Sequence, residues 1–229
     1  MKTIGYYSAL STTIIATVTF IVAVLTPPLS GPWCTSGCLE YPFHNIAARF
    51  PRDYLWMYPA MLLSFAFIVL MASIHEYAHR SRKVYSLSAL LFAAISSATL
   101  FIDYFVQVSV IQQSVLNGET EGVSLLTQYN SHGIFIALEE AGYFLMSLAL
   151  FCTVPVFAGS SRLGRAIRVT YIASFLLTIL AFIIISFLYG INREYRFEVA
   201  VITIEFLTLI VSGIMLSRIF KHAAVDNKN

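Results

Sequence analysis

Six stretches of about 20 mostly apolar residues recur along this chain, each long enough to cross roughly 30 Å of hydrocarbon at 1.5 Å per helical residue. They fall at about 7–25, 56–74, 84–111, 133–157, 169–188 and 197–220, and little sequence is left between them. Hydrocarbon offers the backbone no hydrogen-bond partner, so such runs satisfy their own N–H and C=O groups as helices. The expected fold is an all-α membrane protein, a six-transmembrane-helix bundle forming a single integral membrane domain over residues 1–229. The balance of residue types agrees: 58% are hydrophobic and 11% charged, against about 25% charged in ordinary soluble domains. Lys2 ahead of the first run also fits a signal peptide, but an h-region has about 7–15 residues and this run is longer, so it reads as a retained span.

Lys and Arg accumulate on the cytoplasmic side of membrane proteins. Lys2, Arg80, Arg82, Lys83, Arg162, Arg165, Arg168, Arg218, Lys221 and Lys228 flank the spans on one side, and only Arg49, Arg52, Arg193 and Arg196 on the other. Both termini are therefore expected in the cytoplasm, and the chain in the plasma (inner) membrane as a multi-pass protein. The net charge of +2 requires no nucleic-acid partner, because these cations sit where orientation and anionic lipid heads put them. Membrane lipids are the expected surroundings. Tyr54, Trp56, Tyr58, Tyr189 and Tyr195 lie at span ends, where aromatic residues anchor at the interface.

This orientation places the loop of residues 26–55 outside. Cys34 and Cys38 then lie where a disulfide persists, with the flexible Ser36-Gly37 pair between them, and a Cys34–Cys38 bridge is one reading of the pair. Cys152, inside span four, reads as a small packed hydrophobe. The segment HNIAARF has the pattern of a short interfacial helix. In the second long loop, residues 112–132, Asn130 or Ser131 suits an N-cap for span four.

Charge inside the spans is the most informative feature, because an ionisable group at the bilayer centre costs at least about 2.5–3.5 kcal/mol. Asp103 stands in span three, Glu139 and Glu140 in span four and Glu205 in span six. Counted from the outer ends, Asp103 lies about 13–16 Å deep and the glutamates about 10–12 Å. Each belongs to a polar stripe at helical spacing: Ser96, Thr99, Asp103 and Gln107; Glu139 or Glu140 with Tyr143 and Ser147; Glu198, Glu205, Thr208 and Ser212. The expectation is one acidic cavity in the outer half, binding a small cation, a proton or an amine through Asp103, Glu139, Glu140 and Glu205, with Gln107 and Tyr143 orienting the carboxylates. Arg193 and Arg196 can fold down onto Glu198 or Glu205. The bland alternative is a protonated polar core holding helices together, although such hydrogen bonds average only about 0.6 kcal/mol in membranes.

The segment IHEYAHRSRK contains H-E-x-x-H, the spacing with which zinc peptidases place two imidazoles on one helical face beside a glutamate base. A site here would use His75, His79 and His222 as ligands with Glu76 as base. Asp103 is roughly 28 Å from the start of its helix and too far to serve. Arg80, Arg82 and Lys83 oppose a dication, and pairing of Glu76 with Arg80 explains the motif without metal. No cofactor is expected otherwise. The chain has no G-x-S-x-G, phosphate-binding loop or dinucleotide fingerprint. It has no in-span histidine pair for haem and no in-span lysine for a retinal Schiff base. A small transporter or ion- or proton-binding protein is thus expected ahead of a membrane enzyme, whether a zinc hydrolase or a lipid-modifying one, and of a non-catalytic accessory or sensor subunit.

Overall fold

The computed structural model describes residues 2–159 and 161–225, and among these every regular element is helical. Helix α1 spans Lys2–Leu25, α2 Met57–Tyr77 and α3 Lys83–Val106. Two short helices follow, α4 (Gln112–Leu116) and α5 (Val123–Leu126). Then come α6 (Ile134–Cys152), α7 (Arg162–Tyr189) and α8 (Tyr195–Val225). Among the described residues, six helical segments are long and apolar enough to cross a membrane. Several outrun their apolar stretches: the first turns of α7 hold Arg162, Arg165 and Arg168, because helical hydrogen bonding continues into polar sequence once started.

The chain's punctuation sets the ends. Pro27 and Pro28 stop α1, since proline lacks an N–H and disfavours helix in the residue before it. Helix α7 ends at Gly190, whose φ of 57° and ψ of −127° favour glycine. A π turn at Gln107–Ile111 joins α3 to α4, and its extra residue turns Gln107, Ile111 and Gln112 all inward.

Helix α1 packs on α2 and α8, α2 on α3, α3 on α6, and α6 on α8, so five helices close a ring. Helix α7 lies outside it against α6 and α8. Its buried residues, Gly164, Ile167, Tyr171, Ser174 and Thr178, repeat every three or four positions, a single stripe on one face. The opposite face exposes Leu176, Leu180, Ile183 and Phe187 by more than half, an apolar surface of the kind lipid covers.

Two glycines let ring helices approach closely. A Cβ on Gly213 of α8 would lie 2.1 Å from Thr13 Oγ1 on α1, and one on Gly142 of α6 would lie 2.6 Å from Leu100 on α3. Ser96 donates to the Gly142 carbonyl at 2.7 Å. Small residues at helix contacts are how spans pack where no hydrophobic force drives them together.

One end of the bundle, here the loop end, carries the connections before α2 and α6; the other, the basic end, carries Arg80–Arg82 and the start of α7. Cys34 and Cys38 are disulfide-bonded, with Cα atoms 5.8 Å apart. The segment His44–Arg49 forms a kinked 3₁₀ helix, and Ile46 within it is fully buried. The loop therefore packs on the bundle through its own apolar contacts. Tyr54 is also fully buried and points inward where an interfacial anchor was expected, whereas Tyr58 and Tyr189 remain exposed. Asn130 caps no helix: its side chain donates to Ser124 O at 2.8 Å and accepts from His132 N at 3.1 Å, and Gly133 takes the N-cap position.

Candidate functional site

The close α3–α6 contact at Gly142 sets Asp103 and Tyr104 of α3 against Glu139 of α6. Tyr104 donates to Glu139 Oε1 at 2.7 Å, and its oxygen lies 2.9 Å from the Tyr143 hydroxyl. One phenol has one proton to give, so Tyr143 donates to Tyr104. Glu198, in the first turn of α8, faces Glu139 carboxyl to carboxyl, and a hydrogen bond between the two needs a proton on one of them because a carboxylate only accepts. Asp103 stands within electrostatic reach of both. Oδ2 of Asp103 and Oε2 of Glu139 and Glu198 are buried with no N–H or O–H donor among the described residues. A bare charge at such a position is costly.

The other two acids lie elsewhere, and the anticipated four-acid cavity divides into three places. Glu140, about 100° around α6 from its neighbour, binds Arg193 at 2.6 Å. Arg193 thus reaches Glu140 instead of Glu198 or Glu205, and Arg196 pairs with Glu194 at 3.6 Å. Glu205 accepts from Ser174 at 2.8 Å and Thr178 at 3.5 Å on α7, with Ser147 of α6 bonded to Thr178, a tie between the outer helix and the ring. Gln107 does not orient the carboxylates. Its amide donates to Leu126 O at 2.6 Å and accepts from Gln128 N at 3.0 Å, pinning the loop before α6.

A cavity of about 370 Å³ opens at the loop end between the last turns of α1 and the first of α8. Glu198 forms part of its wall; Asp103, Glu139, Glu140 and Glu205 do not. Asp53, facing it from the turn before α2, is 2% exposed. It binds Arg52 at 2.8 Å and accepts from Tyr129 at 3.2 Å. Burial pushes the Tyr129 phenol above its ordinary value, which keeps its proton available for that bond. Tyr195 ties the rim together: its hydroxyl lies 2.6 Å from Ser30 Oγ and 3.0 Å from the Gln128 carbonyl.

Glu198, Tyr104 and Asp53 are the site residues that sequence reasoning passed over. Glu198 shares a stripe with Glu205 but sits one turn inside its helix, where an acid reads as an N-terminal charge. Tyr104 carries no charge, and Asp53 reads as a loop residue beside Arg52. Gly31 is a fourth: its φ is 69°, and a Cβ there would lie 2.3 Å from the Tyr195 ring. Gly31→Ala is expected to unseat Tyr195 and open the rim, shifting Trp33 fluorescence to the red and exposing the loop to protease. Unchanged emission and proteolysis would show that the rim does not depend on this packing.

The helical H-E-x-x-H geometry is not formed. Helix α2 ends at Tyr77, and Ala78 turns extended, so His75 and His79 lie on different segments. His75 Nδ1 is 2.9 Å from Ser86 Oγ, and His79 Nδ1 is 2.9 Å from Ser81 Oγ while accepting from Ser81 N. Glu76 faces Lys83 at 3.8 Å in place of Arg80. Arg82 donates to the Ala158 carbonyl, linking the two turns of the basic end. His222 is exposed near the end of α8. Among the described residues no three His, Cys, Asp or Glu side chains gather as a metal site.

No family model, curated protein or solved structure matches this chain, so its chemistry rests on the geometry above.

Proposed function

We propose that this is a small multi-pass membrane transporter or ion-binding protein that takes a cation into the loop-end cavity in exchange for the proton shared by Glu139 and Glu198. The reading keeps both termini in the cytoplasm of a plasma membrane, so that the cavity faces outward. The observation that carries it is the double position of Glu198, at once a wall of the cavity and the carboxyl neighbour of Glu139. A cation arriving at Glu198 favours the carboxylate, and the pair then releases its proton. The groups facing the pair are Asp103 and Tyr104 of α3, Glu140 and Tyr143 of α6, and Tyr195 of α8. Arg193 is held by Glu140, so the pair has no cation of its own to replace the proton.

The sign follows from linkage. Binding that expels one proton tightens as pH rises, by up to about tenfold per unit while the pair remains protonated in the free protein. Purified protein in lipid nanodiscs, in weakly buffered medium with a pH indicator, should release about one proton per bound tetramethylammonium, and Glu198→Gln should abolish the release. Binding without proton release, or release that survives Glu198→Gln, would overturn the exchange.

A further inference from the structure

The cavity is walled unlike a site for an inorganic ion. Asp53, which Arg52 pairs from outside the lining, and Glu198 are the charged side chains lining it, with no Lys or Arg among the described residues there. Hard cations take six or more oxygen ligands, whereas most of this wall is aromatic or aliphatic, including Trp33, Trp56, Phe135 and Tyr195. Carboxylates among aromatic faces are the chemistry that recognises organic ammonium groups, whose weak hydration and spread charge suit ring quadrupoles.

The cavity also has a side. On α1 its wall includes Phe20, Ala23 and Val24, and on α8 Val199, Ile202 and Phe206. Val24 and Val199 are 68% and 43% exposed on the outer surface of the bundle, the surface that faces lipid in a spanning protein. Further along the same pair of helices, Gly213 against Thr13 and Ala9 brings the backbones together and closes the space. We infer that the ligand is an ammonium amphiphile: its head lies between Asp53, Glu198 and the aromatic rings, and its hydrocarbon chain lies in the gap between α1 and α8, entered from the side. This rests on the proposed reading only in that Glu198 receives the cation.

Both tryptophans of the chain, Trp33 and Trp56, line the cavity, so intrinsic fluorescence reports on it directly. Nanodisc-embedded protein is titrated at fixed pH with tetramethylammonium, butyltrimethylammonium, octyltrimethylammonium and octyl sulfate, with empty nanodiscs used to correct for partition into lipid. Affinity is expected to rise along the ammonium series by roughly fourfold for each methylene the gap buries, and octyl sulfate is expected to give no saturable change. Ile202→Phe and, independently from the α1 side, Ala23→Leu should fill the gap and flatten the chain-length dependence. A flat series in the unmodified protein, or octyl sulfate binding as well as octyltrimethylammonium, overturns the amphiphile. If tetramethylammonium still expels a proton in that case, the exchange reading survives. If no cation alters the fluorescence or expels a proton, both fall.

Discussion

Gly213→Leu is expected to abolish the folded bundle. A Cβ at this position would stand 2.1 Å from Thr13 Oγ1, 3.1 Å from the Ala9 carbonyl oxygen and 3.4 Å from Thr13 Cβ. The threonine hydroxyl donates to that same carbonyl at 2.8 Å, so it swings away only by giving up a hydrogen bond. The carbonyl is backbone, and it yields only if α1 moves as a whole. Overpacking of a tight contact typically costs about 1–3 kcal/mol, and leucine adds three carbons beyond the Cβ toward the α1 backbone. Gly213→Ala separates the two obstacles. It should be destabilised on its own and recover in Thr13→Ala/Gly213→Ala, where the hydroxyl is gone, whereas Thr13→Ala should not rescue Gly213→Leu. Size-exclusion profiles after heating in mild detergent read all four variants. A leucine variant that melts with the unmodified protein would show that α1 and α8 do not depend on this approach. Because α1 forms one wall of the cavity, any surviving fraction should also lose the chain-length dependence of ammonium binding.

The span count was legible in sequence because it rests on a one-dimensional quantity, the length of apolar runs against helix rise. That Asp103, Glu139, Glu140 and Glu205 fall inside apolar runs was legible for the same reason. Their grouping was not, because it depends on the order of helices around the bundle and on the rotation of each. Glu139 and Glu140 show the difference. At one depth and adjacent in sequence, they face opposite partners, Tyr104 and Arg193. Glu205 belongs to the tie between α7 and the ring, and the position of α7 outside that ring is not written in hydropathy, since a lipid-covered span is as apolar as a central one. The aromatic residues at span ends illustrate a similar limit. Tyr54, Trp56 and Tyr195 have the composition of an interfacial belt, yet they are turned inward by a loop whose own core, Phe43 and Ile46, is too short to register as a periodic pattern. His79 shows the converse, a motif complete in sequence and broken by an extended residue at Ala78.

Arg193→Ala is expected to loosen α7 from the bundle and, in doing so, to distinguish the two kinds of acid. The guanidinium joins three helices: it binds Glu140 of α6 at 2.6 Å, reaches Ser186 of α7 at 3.5 Å, and lies 5.1 Å over the Phe182 ring of α7 and 5.8 Å over Phe197 of α8. Its side chain is 30% exposed and that of Glu140 10%, so the pair is more sheltered than a surface salt bridge and less than a fully buried one. Removing the cation leaves a sheltered carboxylate unpaired. A fully buried pair would lose about 3–5 kcal/mol, and partial exposure lowers the expected loss to about 2–3 kcal/mol. In a chain of this size that is a fall of roughly 5–10 °C in thermal midpoint. If the stranded charge causes the loss, Arg193→Ala/Glu140→Gln should recover most of it. If stacking on Phe182 and Phe197 carries the energy instead, the double variant will melt as low as the single one. Glu140→Gln alone should still release a proton on binding tetramethylammonium, because Glu140 is engaged with Arg193 and the proposed exchangeable proton belongs to Glu139 and Glu198. Loss of proton release in Glu140→Gln would move the proton one residue along α6 and assign the exchange to the wrong neighbour.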